Sequence, residues 1–224
     1  MLIETRLLLR SGQRRSNSMS NIKQKLIDRF GEHRVSDLPV KESDIPLLIL
    51  DVETKTSPVT VIVTNGLSNY KMPVPKSEAG LEYTELFFCL PSYWTWQDLD
   101  NPNSNWIFNW IQRLTKYVIE KESWFGHGHT MPAGSDMKPL SDTMKQNHFI
   151  LINPLLLEEE MSPLKLEDKE VHFLAIVPIF ADEMDYKQGK GTLKFLRRLI
   201  NKGVSEKLDD YRYTTLKSKW RLRR

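Results

Sequence analysis

Cysteine is almost missing from this chain. There is one in 224 residues, Cys89, so no intrachain disulfide can form and nothing ties the fold to an oxidising compartment. Long apolar runs are missing too, since none approaches the ~20 residues that a membrane span needs. The opening Met-Leu-Ile-Glu-Thr-Arg-Leu-Leu-Leu-Arg is too short in its apolar part, and too charged, for a secretory signal. A cytoplasmic protein with no membrane partner is expected. The chain also has no Walker loop, dinucleotide fingerprint, Cys-x-x-Cys pair or Gly-x-Ser-x-Gly elbow, and Gln188-Gly-Lys-Gly191 is too short to cradle phosphates. Those gaps remove the common enzyme classes. The expectation is a protein that is not an enzyme and needs no cofactor.

Acid is scarce at both ends. Residues 1–18 hold four Arg against one Glu, and residues 211–224 hold six Lys or Arg and no acid. Of 32 basic and 29 acidic residues, 22 and 28 are left for residues 19–210, a net charge of −6. The overall charge of +3 is therefore a property of the ends, and direct nucleic-acid binding is not expected of the body. This split suggests three parts: a polar extension over residues 1–18 with Met19 as the native start, a domain over residues 19–210, and a basic tail over residues 211–224. The tail mixes Tyr211, Tyr213, Leu216, Trp220 and Leu222 with its charges. Such a segment can meet nucleic acid or an acidic membrane, but folding back onto its own acidic body is the simpler expectation. Both ends are expected to be dispensable for folding, the second less so if Trp220 covers apolar surface.

Hydrophobic residues at 40% and charged residues at 27% are ordinary globular values, and 16 of the 22 aromatics lie in residues 70–180, which should hold the core. A helix is expected over residues 21–30, with Ser20 as cap, Ile22, Leu26, Ile27 and Phe30 as its stripe, and Gly31 as its stop. Residues 46–53 and 58–64 read as strands, and Asn65-Gly66 as a turn. Tyr83-Thr-Glu-Leu-Phe-Phe-Cys-Leu-Pro91 is apolar on both faces, with Tyr83, Phe87 and Cys89 pointing one way and Leu86, Phe88 and Leu90 the other. Such a strand belongs in the middle of a covered sheet. A helix over residues 105–121, capped by Asn103 or Ser104, should bury Ile107, Trp110, Ile111, Leu114, Tyr117 and Val118 and expose Gln112. Further strands are expected over residues 124–130, 149–153 and 171–180. A helical turn should follow over residues 182–188, broken at Gly189 and Gly191, and then a helix over residues 192–201 with Leu193, Leu196, Leu199 and Ile200 inward. Strand pairs mixed with single helices predict an α+β fold, a mixed β-sheet covered by helices.

Several residues tempt a chemical reading. His127 and His129, two apart on an expected strand, would share a face and could share a metal. Zinc needs a third and usually a fourth ligand, and His33, His148 and His172 stand in no recognised spacing. A metal-dependent enzyme using this pair is the alternative function, together with a nucleic-acid-associated regulator using the tail. Cys89 as a nucleophile would need a polar, accessible setting, whereas Phe87-Phe88-Cys89-Leu90 is apolar. Glu85, the only charge in its strand, must accept hydrogen bonds from a neighbouring loop or from the region of His129. Asp182, Glu183 and Asp185 follow the last central strand. The segment holding Tyr93, Trp94, Trp96, Asp98 and Asp100 combines interface-anchoring aromatics with acid, and Glu158, Glu159 and Glu160 can add to it.

Four stretches, taken in order, carry a resemblance: Tyr83-Thr-Glu-Leu-Phe-Phe-Cys-Leu-Pro91, Trp124-Phe-Gly-His-Gly-His-Thr130, Ile152-Asn-Pro-Leu-Leu-Leu157 and Phe173-Leu-Ala-Ile-Val-Pro-Ile-Phe-Ala-Asp-Glu183. Together they resemble the suppressor-of-fused-like domain family over residues 64–202. The closest likeness is to small bacterial members found as immunity proteins beside secreted polymorphic toxins. The resemblance implies a single suppressor-of-fused-like domain that binds a cognate toxin, often a nuclease, and blocks it by occupation without catalysis. It implies structural duty for Gly128-His129-Thr130, with His127 incidental, and for Glu85 and Glu183. A basic toxin would then sit on Tyr93, Trp94, Trp96, Asp98 and Asp100, or on Glu158, Glu159, Glu160, Asp182 and Asp185.

Overall fold

The computed structural model describes residues 21–41, 44–134 and 136–216. In chain order the elements are α1 (residues 21–30), β1 (Val35–Leu38), β2 (Leu47–Val52), β3 (Val59–Thr64), β4 (Thr84–Pro91), α2 (Pro102–Glu120), β5 (Thr130–Pro132), β6 (His148–Ile152), β7 (Leu164–Lys165), β8 (Glu170–Ile179), α3 (Ala181–Lys190) and α4 (Thr192–Asn201). The strands form one sheet in the order β1-β2-β3-β4-β8-β6-β5, and β7 pairs with the start of β8. All neighbours are antiparallel except β4 and β8, which makes the sheet mixed and the fold α+β, as expected.

β4 is buried at every position, and its alternation sorts the core into two layers. Phe87 and Cys89 meet Ile22 and Leu26 of α1 and Phe195 and Leu199 of α4 on one face. Leu86, Phe88 and Leu90 meet Trp106, Ile107, Ile111, Leu114 and Val118 of α2 on the other. Each of these side chains contributes roughly 1.5–3 kcal/mol by leaving water, so covering both faces is the dominant stabilising term. Gly31 ends α1 in the left-handed region at φ 93, and its N–H donates to Ile27 O at 2.7 Å. Asn101 caps α2 by accepting from Asn103 N–H at 3.0 Å, and Pro102 takes the first turn, where no N–H is needed.

The differences from expectation have local causes. β1 is a short edge strand whose two apolar residues, Val35 and Leu38, are too few to show a period. Gln112 is buried, because its amide both accepts from Ile45 N–H and donates to Ile45 C=O, while Tyr117 faces out. In α4 the buried stripe is Phe195, Leu196 and Leu199, which turns Leu193 and Ile200 to solvent. α3 runs through Gly189 and stops at Gly191, at φ 89. Residues 124–129 form a turn rather than a strand, and pairing begins only at Thr130. The expected cap Ser20, residues 1–18 and Trp220 and Leu222 of the tail lie outside the described residues.

One detail of the sheet positions everything below. β4 and β8 pair only over residues 84–87 and 172–175. Past Phe87 the gap is entered by the C-terminal segment: Lys207 bridges Cys89, Leu208 N–H donates to Cys89 O at 2.8 Å, and Leu208 is buried in the α2 layer. Residues 207–216 therefore lie against the body.

Candidate functional site

The loop between β4 and α2 leaves a strand buried on both faces and enters a capped helix, so both of its ends are fixed. Its tryptophans divide from its tyrosine. Trp94 is 7% exposed, donates from Nε1 to Ser104 O at 3.3 Å, and meets Trp106 edge-on at 6.1 Å between ring centres. It is a core residue and cannot serve as an exposed anchor. Trp96 is half-buried against the same layer. Tyr93 is 53% exposed, and Asp98, Leu99 and Asp100 are also exposed.

Tyr93 gains partners that its own segment does not contain. Its hydroxyl donates to Asp210 Oδ1 at 2.8 Å, and its ring meets that of Tyr211 edge-on at 6.0 Å. Burial, the hydrogen bond to Asp210 and the negative charges of Asp210 and Asp209 all push the Tyr93 phenol up, so it stays a neutral donor. Tyr211 is 79% exposed, and its N–H donates to Asp209 Oδ1 at 3.0 Å. The site is thus Tyr93, Tyr211, Asp209 and Asp210, two amphipathic rings beside two carboxylates, with Asp98 and Asp100 exposed further along the loop that carries Tyr93. Sequence reasoning singled out Tyr211 only as part of a basic tail and missed Asp209 and Asp210. The signal that could have found them is the acid pair next to an aromatic, Asp209-Asp210-Tyr211.

The other acids named from sequence fall elsewhere. Glu158 and Glu159 are exposed and Glu160 half-buried in a turn that Arg29 of α1 holds by donating to Glu160 O at 2.9 Å and Ser162 O at 2.7 Å. Asp182 and Asp185 are exposed on α3. Among the described residues, no hydrogen bond or ring contact joins any of the five to Tyr93 or Tyr211.

Three buried carboxylates tie loops to the sheet. Glu85 accepts from the Thr64 hydroxyl, from Gly66 N–H at 3.1 Å, from Leu67 N–H at 3.2 Å and from Ser68 N–H at 3.0 Å. It thereby fixes the turn after β3. Burial pushes its carboxyl up, against the pull of the Thr64, Ser68 and Gly66 donors. Glu183 accepts from Arg212 in two parallel bonds of 2.8 Å, from Phe180 N–H at 3.0 Å and from Thr215 N–H at 2.8 Å. Burial opposes its charge, but Arg212 and the two backbone donors hold it below the usual carboxylate range. Glu206, which sequence reasoning missed, accepts from Leu155, Leu156 and Leu157 N–H at 2.7–3.0 Å. Arg212, Thr214 and Thr215 are therefore part of the folded body, so the expected boundary at residue 211 cuts through packed structure.

A family model described as suppressor of fused protein (SUFU) matches residues 43–212. The chain belongs to the suppressor of fused family. Its fold is similar to a structure titled "the Sufu-Fu complex crystal structure", with a TM-score of 0.65 at 15% identity over 88% of this chain and 92% of that one. It is also similar to Drosophila Suppressor of Fused, with a TM-score of 0.62 at 16% identity over 87% of this chain and 50% of that one. No curated protein matches it in sequence.

Within this suppressor of fused domain the histidine turn is built for packing. Gly128 sits at φ 85 with its N–H donating to Leu151 O at 2.7 Å, and a Cβ there would come 2.5 Å from Thr192 Cγ2. His129 packs edge-on against Trp124 at 4.3 Å, while burial and nearby Lys187 keep it below the usual histidine range. His127 is not incidental: its Nδ1 accepts from Asn153 N–H at 3.0 Å. The shared-face argument for a metal pair required a strand, and these residues form a turn. No group of three potential ligand residues that could hold a metal occurs among the described residues. The Cys89 thiol is buried and pushed up by burial, then by Glu206, a setting that suits packing rather than nucleophilic attack.

Proposed function

We propose that this suppressor of fused domain is a cytoplasmic immunity protein that neutralises a basic toxin, a nuclease domain in the first instance, by covering its active site without catalysis. One observation carries the reading: the exposed Tyr93–Tyr211 pair beside Asp209 and Asp210, at the start of a loop that also exposes Asp98 and Asp100. Tyrosines supply contact area with little conformational freedom to lose, and the acids match a surface evolved to hold phosphates. The net charge of −6 over residues 19–210 draws such a partner from a distance. The likeness to a Sufu structure solved as a complex with Fu supports partner binding as the mode of action.

The test starts from the native host. The protein is purified under mild conditions and its bound partner identified by mass spectrometry. The partner gene is then expressed in a sensitive cell alone and together with this chain. Killing by the partner alone and growth with both support the reading. A harmless partner, or one that kills equally in both cases, overturns it.

A further inference from the structure

β4 and β8 are adjacent parallel strands whose following helices cover opposite faces, α2 on one layer and α3 with α4 on the other. Where two such connections diverge, a crevice opens at the carboxyl ends of the strands, which is where open sheets with parallel strands hold their ligands. Here the C-terminal segment enters that crevice through Lys207 and Leu208. Beside it, on the β8 side, lies a cavity of about 460 Å³, walled by Val177 and Pro178 of β8 and by residues 202–205, 207–209 and 212–215. Its size lies within the range of small-molecule sites.

The lining is chemically biased. Lys202 and Lys207 reach it and, among the described residues, enter no ion pair. Arg212 forms a wall, with its guanidinium committed to Glu183 and to Pro178 O. Thr215 is 5% exposed, and among the described residues its hydroxyl has no hydrogen-bond partner. The backbone around it is held on both sides, since its N–H donates to Glu183 and its C=O accepts from Arg198 at 2.7 Å. Thr215 lines the cavity, and a buried hydroxyl without a partner is a donor that a ligand there would satisfy. Asp209, the one carboxylate among the described lining residues, accepts from Tyr211 N–H. Tyr213 presents an exposed ring at the rim.

We propose that this cavity binds a phosphate-bearing ligand of mononucleotide size, with the phosphate between Lys202 and Lys207, the Thr215 hydroxyl donating, and the planar base against Tyr213. The site borders the Tyr93–Tyr211 surface through Asp209, but its proposed contacts are other residues, and it stands whether or not that surface binds a toxin. Calorimetric titration of the full chain with AMP, GMP, CMP and UMP tests it, with adenosine and inorganic phosphate as half-ligands. At least one nucleotide should bind, with adenosine and phosphate each about tenfold weaker or more because each keeps only part of the contacts. Joint replacement Lys202→Ala and Lys207→Ala should weaken the nucleotide about tenfold or more. Thr215→Val, which keeps the side-chain shape, should weaken it severalfold with the melting temperature unchanged. Failure of all four nucleotides to bind overturns the proposal. So does binding indifferent to both variants, or phosphate binding as tightly as the nucleotide.

Discussion

Glu183 and Arg212 match both carboxylate oxygens to two guanidinium nitrogens, and the remaining acceptor capacity goes to backbone N–H groups. Removing either partner leaves a buried charge unpaired, so Arg212→Ala should cost about 3–5 kcal/mol in denaturant unfolding. Arg212→Lys should recover little of it, because an ammonium cannot make the paired bonds and still reach Pro178 O. The pair also sets a pH dependence. A carboxyl held below its unfolded value contributes stability that is fully present above that unfolded value, roughly 4.3, and is lost as pH falls through the lower folded one. Glu183→Gln should flatten this acid limb of the stability curve. An acid limb identical to wild type would assign acid sensitivity to other groups. Glu85 has the opposite sign, since burial raises it, and its contribution fades as pH rises through its folded value. Its loss still orphans three backbone N–H groups and takes the shorter of the Thr64 hydroxyl's two acceptors, so Glu85→Ala should cost on the order of 2–4 kcal/mol. An unchanged unfolding midpoint would refute that. Glu85 was legible in the sequence as the lone charge in an apolar strand. Glu206 was not, because Val204-Ser-Glu-Lys-Leu208 looks like a solvated loop and its partners lie about fifty residues upstream.

Elements with a strong, uninterrupted period were legible: α1, β2, β3, β4, β6, β8 and most of α2. Those whose place is decided by tertiary contact were not. α4 has apolar residues on more than one side, and only its neighbours select Phe195, Leu196 and Leu199 as the inner set. The histidine turn read as a strand because alternation mimics a period, whereas Gly128 is glycine because its backbone is left-handed and its α-carbon abuts Thr192. Gly128→Ala should therefore destabilise the domain by about 1–3 kcal/mol, which thermal unfolding would register as a drop of several degrees. The C-terminal segment was legible in part. That it folds back onto the body was the simpler expectation, but its charges gave no sign that Leu208, Arg212, Thr214 and Thr215 pack at the end of the sheet. A chain ending after Asp210 should give little soluble protein and a broad, non-cooperative melt. Wild-type yield and melting would return residues 211–216 to the status of a tail.

On the scale of the whole molecule, charge distribution sets how a partner arrives. Residues 186–205 contain six Lys or Arg and no acid, so the net −6 of residues 19–210 is concentrated on the rest of the surface. A basic partner is repelled from the α3–α4 side and steered toward acid-rich surface that includes the loop after β4, before any contact forms. Two effects should then separate experimentally. Reversing Asp98 and Asp100 to Lys removes steering, so association should slow and its salt dependence flatten, with dissociation little changed. Replacing Tyr93 and Tyr211 by Ala removes buried contact area, so each should cost roughly 2 kcal/mol and appear as faster dissociation. Trp94→Ala serves as the contrast: it should lower the melting temperature through the core and affect partner binding only as far as it unfolds the domain. Rates measured with the partner purified from the host, at low and high salt, distinguish these outcomes. A folded quadruple variant of Tyr93, Asp98, Asp100 and Tyr211 that still protects cells fully would place the interface on another face. The Glu158–Glu160 turn, which Arg29 holds in a fixed conformation, and the exposed Asp182 and Asp185 of α3 are then the next surfaces to reverse.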